Sequence, residues 1–451
     1  MDSGFSKVIN KSQQKITVIY LLYFFCTGVV KDLLRGLEGI RNLQKFSLRH
    51  DCTNALLQRV CQLNQGTLKC IDIECSKQVN DDSVPSILLC ANTVELSLFG
   101  TGISDEGVGK LIASLPSLTH LPRGDFLCDA LAWIDEDEDG QDPVYLIQEF
   151  FPSQKYYFHE DWQMEMVAKS CPYISKMLFI FHEDCVQDYL VLLPFAHLSE
   201  LELFGGKFFD DKIYELLQVK GQQLVKLTLI SVKQMNFKAF ATMTVHCHSL
   251  KNLTLNNCDI EDFRPGDDPN SDQEYEKREA YIKMAKEAHE IVQEFQVLET
   301  INITSPVNSL YLVFILSRCP KMKVINLGSI NGLTDESMLK IYLKNPLTDL
   351  EEFHVESATN LSMMTVNLIV NNCLRIKSIS DLQKWPAIDP VELSKFRDMI
   401  RRENCELDTS SNMKLRKYLD LSGRERRTYI NLVTGPFLER LRMAERQAQT
   451  L

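Results

Sequence analysis

Apolar residues recur along this chain at a fixed spacing. Aligned on a triplet at offsets 0, +3 and +5, the pattern starts at Leu43, Leu68, Thr93, Leu118, Ile174, Leu198, Leu224, Leu250, Leu298, Met322, Leu350 and Ile376. The steps between successive starts are 25, 25, 25, 56, 24, 26, 26, 48, 24, 28 and 26, so nine of the eleven lie between 24 and 28. A period of that size marks a repeat protein, in which each unit buries its apolar side against the next. Ten of the twelve starts carry apolar residues at both later offsets, such as Leu253 and Leu255 or Ile301 and Ile303. The exceptions are Arg123 and Asp381, beside an insertion and at the end of the array.

Offsets +3 and +5 alternate with period two, so each triplet predicts a short strand with those side chains turned inward. The return path carries helix-start signals. Asn80 precedes Asp81 and Asp82, Ser104 precedes Asp105 and Glu106, Asp210 precedes Asp211, and Thr334 precedes Asp335 and Glu336. A capping oxygen satisfies a free amide, and first-turn carboxylates suit the positive end of a helix. Apolar helical stretches follow, such as Val108–Leu115 and Ile213–Leu217. Each unit therefore reads as strand, turn and helix. Stacked units give an α/β fold, a solenoid with a curved parallel sheet inside and helices outside.

A cysteine stands three residues before the strand segment in five units, at Cys90, Cys171, Cys247, Cys319 and Cys373. Cys258 adds a second position, eight residues after Leu250. The line Cys247-His-Ser-Leu-Lys-Asn-Leu-Thr-Leu-Asn-Asn-Cys258 resembles the cysteine-containing leucine-rich repeat. That subtype belongs to the F-box/leucine-rich-repeat substrate receptors of cullin-based ubiquitin ligases. The resemblance covers residues 43–385 and implies a non-enzymatic interaction scaffold with cullin-ligase subunits as partners. The F-box itself is absent from the pattern, because residues 1–42 are short for it and lack its Leu-Pro opening. Another subunit would then supply the ligase link.

Two insertions interrupt the array, at about 122–168 and 261–296. The first can hide a degenerate repeat, since its step of 56 is close to two periods. Its residues 124–143 include eight acidic and no basic side chains. The aromatic stretch Phe150, Phe151, Tyr156, Tyr157, Phe158 and Trp162 follows. In the second, Ser271 and Glu274 have capping-box spacing and predict a helix running to about Gln296. Its apolar stripe is Tyr281, Ala285, Ala288, Val292 and Phe295. Residues 386–451 read as a helical C-terminal cap, with breaks at Ser422-Gly423 and Gly435-Pro436.

The N-terminal segment 1–42 reads as an apolar helical cap. Its apolar run Ile16–Val30 is shorter than the roughly 20 residues of a spanning helix. Lys7, Lys11 and Lys15 precede it, so a signal-peptide core is the alternative.

Composition narrows the function. The chain has 451 residues, 45% of them hydrophobic, with 49 basic and 61 acidic side chains and a net charge of −12. A uniformly basic nucleic-acid binder is excluded by that balance. Residues 391–451 are net positive by 4, but the short Arg424–Arg427 cluster reads as a solvated helix face, and no nucleic-acid partner is expected. The fourteen cysteines include no C-x-x-C pair, which fits free thiols in a reducing, cytoplasmic compartment. Occupied sequons at Asn252 and Asn302 would instead mark the alternative function, a secreted or membrane-associated leucine-rich-repeat receptor. No membrane contact is expected unless residues 16–30 act as a signal or anchor.

Chemical motifs are scarce. Asp135-x-Asp137-x-Asp139-Gly140 opens like a calcium loop, but Leu146 stands where the bidentate glutamate belongs. His246, Cys247 and His248 are neighbours in extended chain and point apart, so no metal ligand set is read there. His182 and Cys185 lack a second pair. No catalytic constellation and no cofactor motif is present, and an enzyme is not expected.

The surface left for function is the concave sheet face. Offset +6 faces outward and holds Phe99, Ile180, Phe204 and Ile230 in the early units, but Asn256, Thr304, Gly328 and Glu356 later. Glu202 and Thr228 at +4 and Lys226 at +2 should flank the apolar half. Asn252, Asn302 and His354 mark the polar half. An exposed apolar patch marks a binding site for a protein partner. The other reading is that the first insertion folds back over it.

Overall fold

A computed structural model describes residues 18–21, 40–122, 127–137, 143–151, 160–181, 189–206, 211–233, 235, 237–260, 294–305, 307, 309–329, 333–380 and 382–402. Two compact units divide the chain at Phe204 and Gly205.

The first unit begins with four parallel strands, β1 (Val18–Leu21), β2 (Lys45–Leu48), β3 (Cys70–Asp72) and β4 (Glu95–Ser97). Ile19, Phe46, Ile71 and Leu96 stand side by side in the register. The last three are the +3 positions of consecutive repeats. The ladder continues from Glu95 to His120, and the Gln148 amide donates to the Thr119 carbonyl at 2.8 Å. Strands β5 (Glu149–Phe150), β6 (Lys176–Ile180) and β7 (Glu200–Phe204) follow, with Phe150, Met177 and Leu201 in one row. Helices α1 (Asn54–Asn64), α2 (Val84–Leu88), α3 (Asp105–Ser114), α4 (Leu127–Asp137) and α5 (Asp161–Ser170) provide the return paths.

Two sequence expectations change here. The N-terminal segment is predicted as helical, yet its described part, Val18–Leu21, is a strand on the edge of β2. The reason is the repeat itself. Ile16, Ile19 and Leu21 precede Leu43, Phe46 and Leu48 by one period and form one more triplet. Val18, Ile19 and Tyr20 are also residues that suit a pleated strand. The rest of the Ile16–Val30 run lies outside the described residues, and the signal-peptide alternative lies there with it.

The first insertion is largely repeat. Ile147 and Phe150 are buried and give the missing coil, which falls between the Leu118 and Ile174 coils and divides their interval almost in half. Asp135 and Asp137 belong to the C-terminal end of α4, whereas Asp139 and Gly140 lie outside the described residues. Gly109 on α3 lets α4 pack close. A Cβ there would stand 2.8 Å from the Trp133 ring and 3.0 Å from the Ala130 carbonyl.

The second unit contains α6 (Asp211–Lys220), β8 (Lys226–Ile230), α7 (Phe237–His246), β9 (Asn252–Asn256), β10 (Thr300–Ile303), α8 (Ser309–Leu316) and β11 (Val324–Ser329). It continues through α9 (Asp335–Lys344), β12 (Glu352–Ser357), α10 (Met363–Asn372), β13 (Ser378–Ile379) and α11 (Pro390–Arg402). The strands run parallel in sequence order. Leu227, Leu253, Ile301, Ile325, Phe353 and Ile379 share one register row. Because β9 pairs directly with β10, the second insertion adds no strand between them. Its predicted helix falls on residues 261–293, outside the described residues. The expected end near Gln296 is corrected: residues 294–296 are not helical. There the chain is already turning into the next strand, with Phe295 buried and its amide on the Arg318 carbonyl at 2.9 Å.

Burial follows the triplet. Leu201, Leu203, Leu253 and Leu255 are all in the core. The helix caps predicted at Asn80, Ser104 and Thr334 are formed, each by the side-chain oxygen accepting a backbone amide of the first turn. Asp210 lies outside the described residues. The last coil is closed by Trp385, fully buried and edge-on to Phe353 at 6.5 Å, and by Leu393, Phe396 and Ile400 of α11. Residues 403–451 of the predicted cap are outside the described residues.

The recurrent cysteines close the coil. The amides of Cys171, Cys247 and Cys373 donate to the helix carbonyls four residues back. The carbonyls of the same three accept the amide of the triplet start, from Ile174, Leu250 and Ile376. Their side chains are buried at each return. None of the eleven described cysteines is bonded to another.

Candidate functional site

The inward strand positions are spent on the core, so the outward rows hold the side chains left over from it. In the first unit the +2 row is a chain of ion pairs. Lys45 Nζ lies 3.9 Å from Glu95, His120 Nε2 lies 3.7 Å from Glu149, and Lys176 lies 3.1 Å from Glu149 and 3.8 Å from Glu200. The hydrogen bond from Lys176 to Glu149 raises the lysine pKa.

Deeper in the same unit, Asp72 and Glu74 are buried carboxylates. Arg49 Nε donates to Asp72 Oδ2 at 2.9 Å, and its Nη1 lies 3.5 Å from Glu74. Ser47 Oγ donates to Asp72 at 2.9 Å. The Asp72 hydrogen bond raises the Arg49 pKa. These residues were missed although the offset rule reaches them. Ser47 and Asp72 are +4 positions, and Arg49 and Glu74 are +6 positions.

Phe99, two residues beyond the end of β4, and Phe204, the last residue of β7, are both half-buried. Four strand steps separate them, or about 19 Å at the usual spacing. Three coils lie between them, and the +6 residues of the first two, Gly124 and Ser153, lie outside the described residues, whereas the third supplies Ile180. Ile180 corrects the expectation of an exposed patch, because only 6% of it is exposed. It stands directly opposite Phe204 in the register, where large apolar side chains shield one another. The next residue, Phe181, turns in against Tyr189 and Phe179. Glu202 is half-buried beside Leu178.

In the second unit, Lys226 and Ile230 of β8 are half-buried, but Thr228 between them is buried and does not flank an open surface. Asn252, Asn302 and His354 are half-buried on β9, β10 and β12. Thr254, Asn302, Asn326 and His354 stand in one row across four strands. In the next row, Thr304 Oγ1 donates to Asn256 Oδ1 at 2.8 Å. His354 Nε2 lies 3.5 Å from Glu352.

Among the described residues no three His, Cys, Asp or Glu side chains group to hold an ion. Cys247 is buried between coils, and burial pushes its thiol up to about 12. His246 is held below its ordinary value by burial first and by His248 second. His182 and Cys185 lie outside the described residues. No described helix is long and apolar enough to cross a membrane.

One parallel strand per repeat, a buried apolar triplet and a helical return define a leucine-rich-repeat architecture. No protein-family model matches the sequence, and no curated protein matches it. Solved structures similar to it include three at 11 to 13% identity. One is an internalin from Listeria monocytogenes str. 4b F2365, with 11% identity, 92% of this chain and 96% of that chain covered and a TM-score of 0.43. Another is the Rad7 and Elc1 complex of yeast, with 13% identity, 78% and 87% coverage and a TM-score of 0.36. A third is a leucine-rich-repeat protein of Leptospira interrogans, with 12% identity, 90% and 98% coverage and a TM-score of 0.37.

Proposed function

We propose that the protein is an interaction scaffold that holds a protein partner on the sheet face opposite its helices. The observation that carries this reading is the chemistry of the outward rows. Phe99, Phe204 and Glu202 in the first unit, and Lys226, Ile230, Asn252, Asn302 and His354 in the second, are aromatic, aliphatic, charged or amide groups that the strand ladder does not need. Aromatic anchors supply most interface energy, and polar neighbours set specificity.

The finer role we propose is substrate recognition for cullin-type ubiquitin ligation, in a reducing compartment, with another subunit linking the scaffold to the ligase. Support comes from the repeat line Cys247–Cys258, whose two cysteines are both buried at coil positions. The secreted-receptor alternative has weaker support, since its sequon residues Asn252 and Asn302 lie within strands β9 and β10.

Affinity purification of the full chain with mass spectrometry tests both levels. Co-purifying cullin subunits support the ligase role. Secretory chaperones with occupied sequons would replace it by the receptor role. Phe204→Ala should weaken recovery of the partner about 30-fold, the equivalent of about 2 kcal/mol, with the melting temperature little changed. A sharp drop in melting temperature with recovery intact would remove Phe204 from the site.

A further inference from the structure

Two thiols of neighbouring coils meet in the core of the first unit. Cys61 lies in the last turn of α1, and Cys90 lies two residues beyond α2. Both are fully buried. Cys90 Sγ stands 3.9 Å from the Cys61 carbonyl oxygen, and the Cys61 thiol donates a hydrogen bond to the Cys90 sulfur. The protein over Cys90 is thin. Leu89 before it is 46% exposed, and Ala91 and Asn92 after it are exposed as well. A molecule as small as hydrogen peroxide has little to cross there.

The pairing sets Cys90 apart from the other recurrent cysteines. Cys319 Sγ donates to the Ile315 carbonyl of its own helix at 3.1 Å, and Cys373 Sγ lies 2.8 Å from Tyr342 Oη. Burial pushes the thiols of Cys171, Cys247, Cys319 and Cys373 up. The hydrogen bond from Cys61 instead holds the Cys90 thiol below its ordinary value, and the same bond pushes the Cys61 thiol up. A thiolate is the nucleophile, and a protonated thiol beside it resolves the oxidised form. Cys128 lies near enough to Cys171 to push its thiol up further, but burial raises both, so neither supplies a thiolate.

We propose that Cys90 and Cys61 form a peroxide-sensitive pair, in which Cys90 is oxidised first and Cys61 closes a disulfide onto it. The Cys90 thiolate attacks one oxygen of hydrogen peroxide. The O–O bond breaks, hydroxide leaves and takes up a proton, and Cys90 carries a sulfenic acid. The Cys61 sulfur then gives up its proton and attacks the Cys90 sulfur. The S–O bond breaks, and the hydroxyl leaves with that proton as water. Each sulfur has lost one electron, and the peroxide has become two waters. The bridge ties α1 of one coil to the return of the next, so those coils resist separation until a thiol reductant opens it.

Treating the full, folded chain with a small molar excess of hydrogen peroxide tests it. Peptide mapping without reductant should show Cys61 linked to Cys90, with Cys128 and Cys171 free. Dithiothreitol should remove the link, and the oxidised chain should melt at a higher temperature than the reduced one. Cys61→Ser keeps a donor for Cys90 and should stop the reaction at a Cys90 sulfenic acid, which dimedone captures. Cys90→Ser should leave Cys61 an unreacted thiol. Two thiols that are only packed together would not show this asymmetry. Equal dimedone capture at Cys61 and Cys90 in the two variants overturns the proposal. So does recovery of both as free thiols from the parent chain while Cys75 is oxidised, a result that needs no variant to fold.

Discussion

Asp81 Oδ1 accepts the backbone amide of Ser104 at 2.8 Å. Asp81 is the first residue after the cap of its own coil, and Ser104 is the cap residue of the next. The same link recurs where Asn54 Oδ1 accepts the Asn80 amide at 3.1 Å and where Asp335 Oδ1 accepts the Ser362 amide at 3.0 Å. The side chain that opens the first turn, Asn54, Asp81 or Asp335, therefore has a task beyond its own helix. It binds one repeat to its successor at a point where the next cap amide would otherwise lack a partner.

The strength of that link should grow with the number of bonds. Asp335 accepts from the Ser362 amide, from Ser362 Oγ at 2.7 Å and from Thr365 Oγ1 at 2.5 Å. Asp335→Ala should cost about 2 kcal/mol and Asp81→Ala about 1 kcal/mol, in the range of lost caps. Hydrogen exchange at the Ser362 and Ser104 amides checks the location, because each should quicken only in its own variant.

Gly107→Ala should destabilise, against helix propensity, which favours alanine by about 1 kcal/mol. A Cβ at Gly107 would overlap Asp81 Oδ1 and stand 2.8 Å from Ile103 Cγ2. It would push Asp81 off the Ser104 amide. Gly66→Ala, with open space around the new Cβ, should be neutral or slightly stabilising. Thermal melts of the two variants should move in different directions.

Leu253→Asp should cost on the order of 4 kcal/mol, because it puts an unpaired charge into a dry core. Leu253 is fully buried, whereas its neighbour Thr254 faces outward and is only half-buried. Thr254→Asp should be mild. Equal damage from both in a denaturant titration would contradict the register.

Stability should fall on acidification through the histidine range in a way that depends on His246. Burial and His248 hold its folded pKa below the ordinary value of about 6.5. The unfolded chain then binds the proton at higher pH than the folded one, so falling pH favours unfolding. Melting temperatures measured from about pH 7.5 to pH 5 should drop less for His246→Gln than for the parent chain.

Thiol reactivity should separate the cysteines. Cys75 is partly exposed, whereas Cys52, Cys90, Cys171, Cys247, Cys319 and Cys373 are buried. Burial pushes the Cys52 thiol up to about 12 and that of Cys373 to about 11, and a protonated thiol is a poor nucleophile. Maleimide labelling of native protein should therefore mark Cys75 before Cys52, Cys171, Cys247, Cys319 and Cys373, which should react only after denaturation. Peptide mapping without reductant should show no disulfide among Cys90, Cys171, Cys247, Cys319 and Cys373.

The sequence by itself determined the repeat. The triplet at 0, +3 and +5 depends only on strand alternation and on one strand per coil, both local properties of the chain, so Leu253 could be placed inward without a structure. The caps at Ser104 and Thr334 were legible for the same reason, since capping acts within three residues. The coil at Ile16 was readable too, but a run of β-branched and aromatic residues looks alike as a buried helix or as a strand until a neighbouring edge takes it up. Tertiary structure decided what faces outward. Ile180 obeys the outward offset, yet Phe204 stands across the register from it. Arg49 pairs with Asp72 and Glu74 of the next coil, and Asp81 reaches Ser104 across the same interval of one repeat. Those contacts depend on which coils become neighbours and how closely they approach, and no local period along the chain carries that distance.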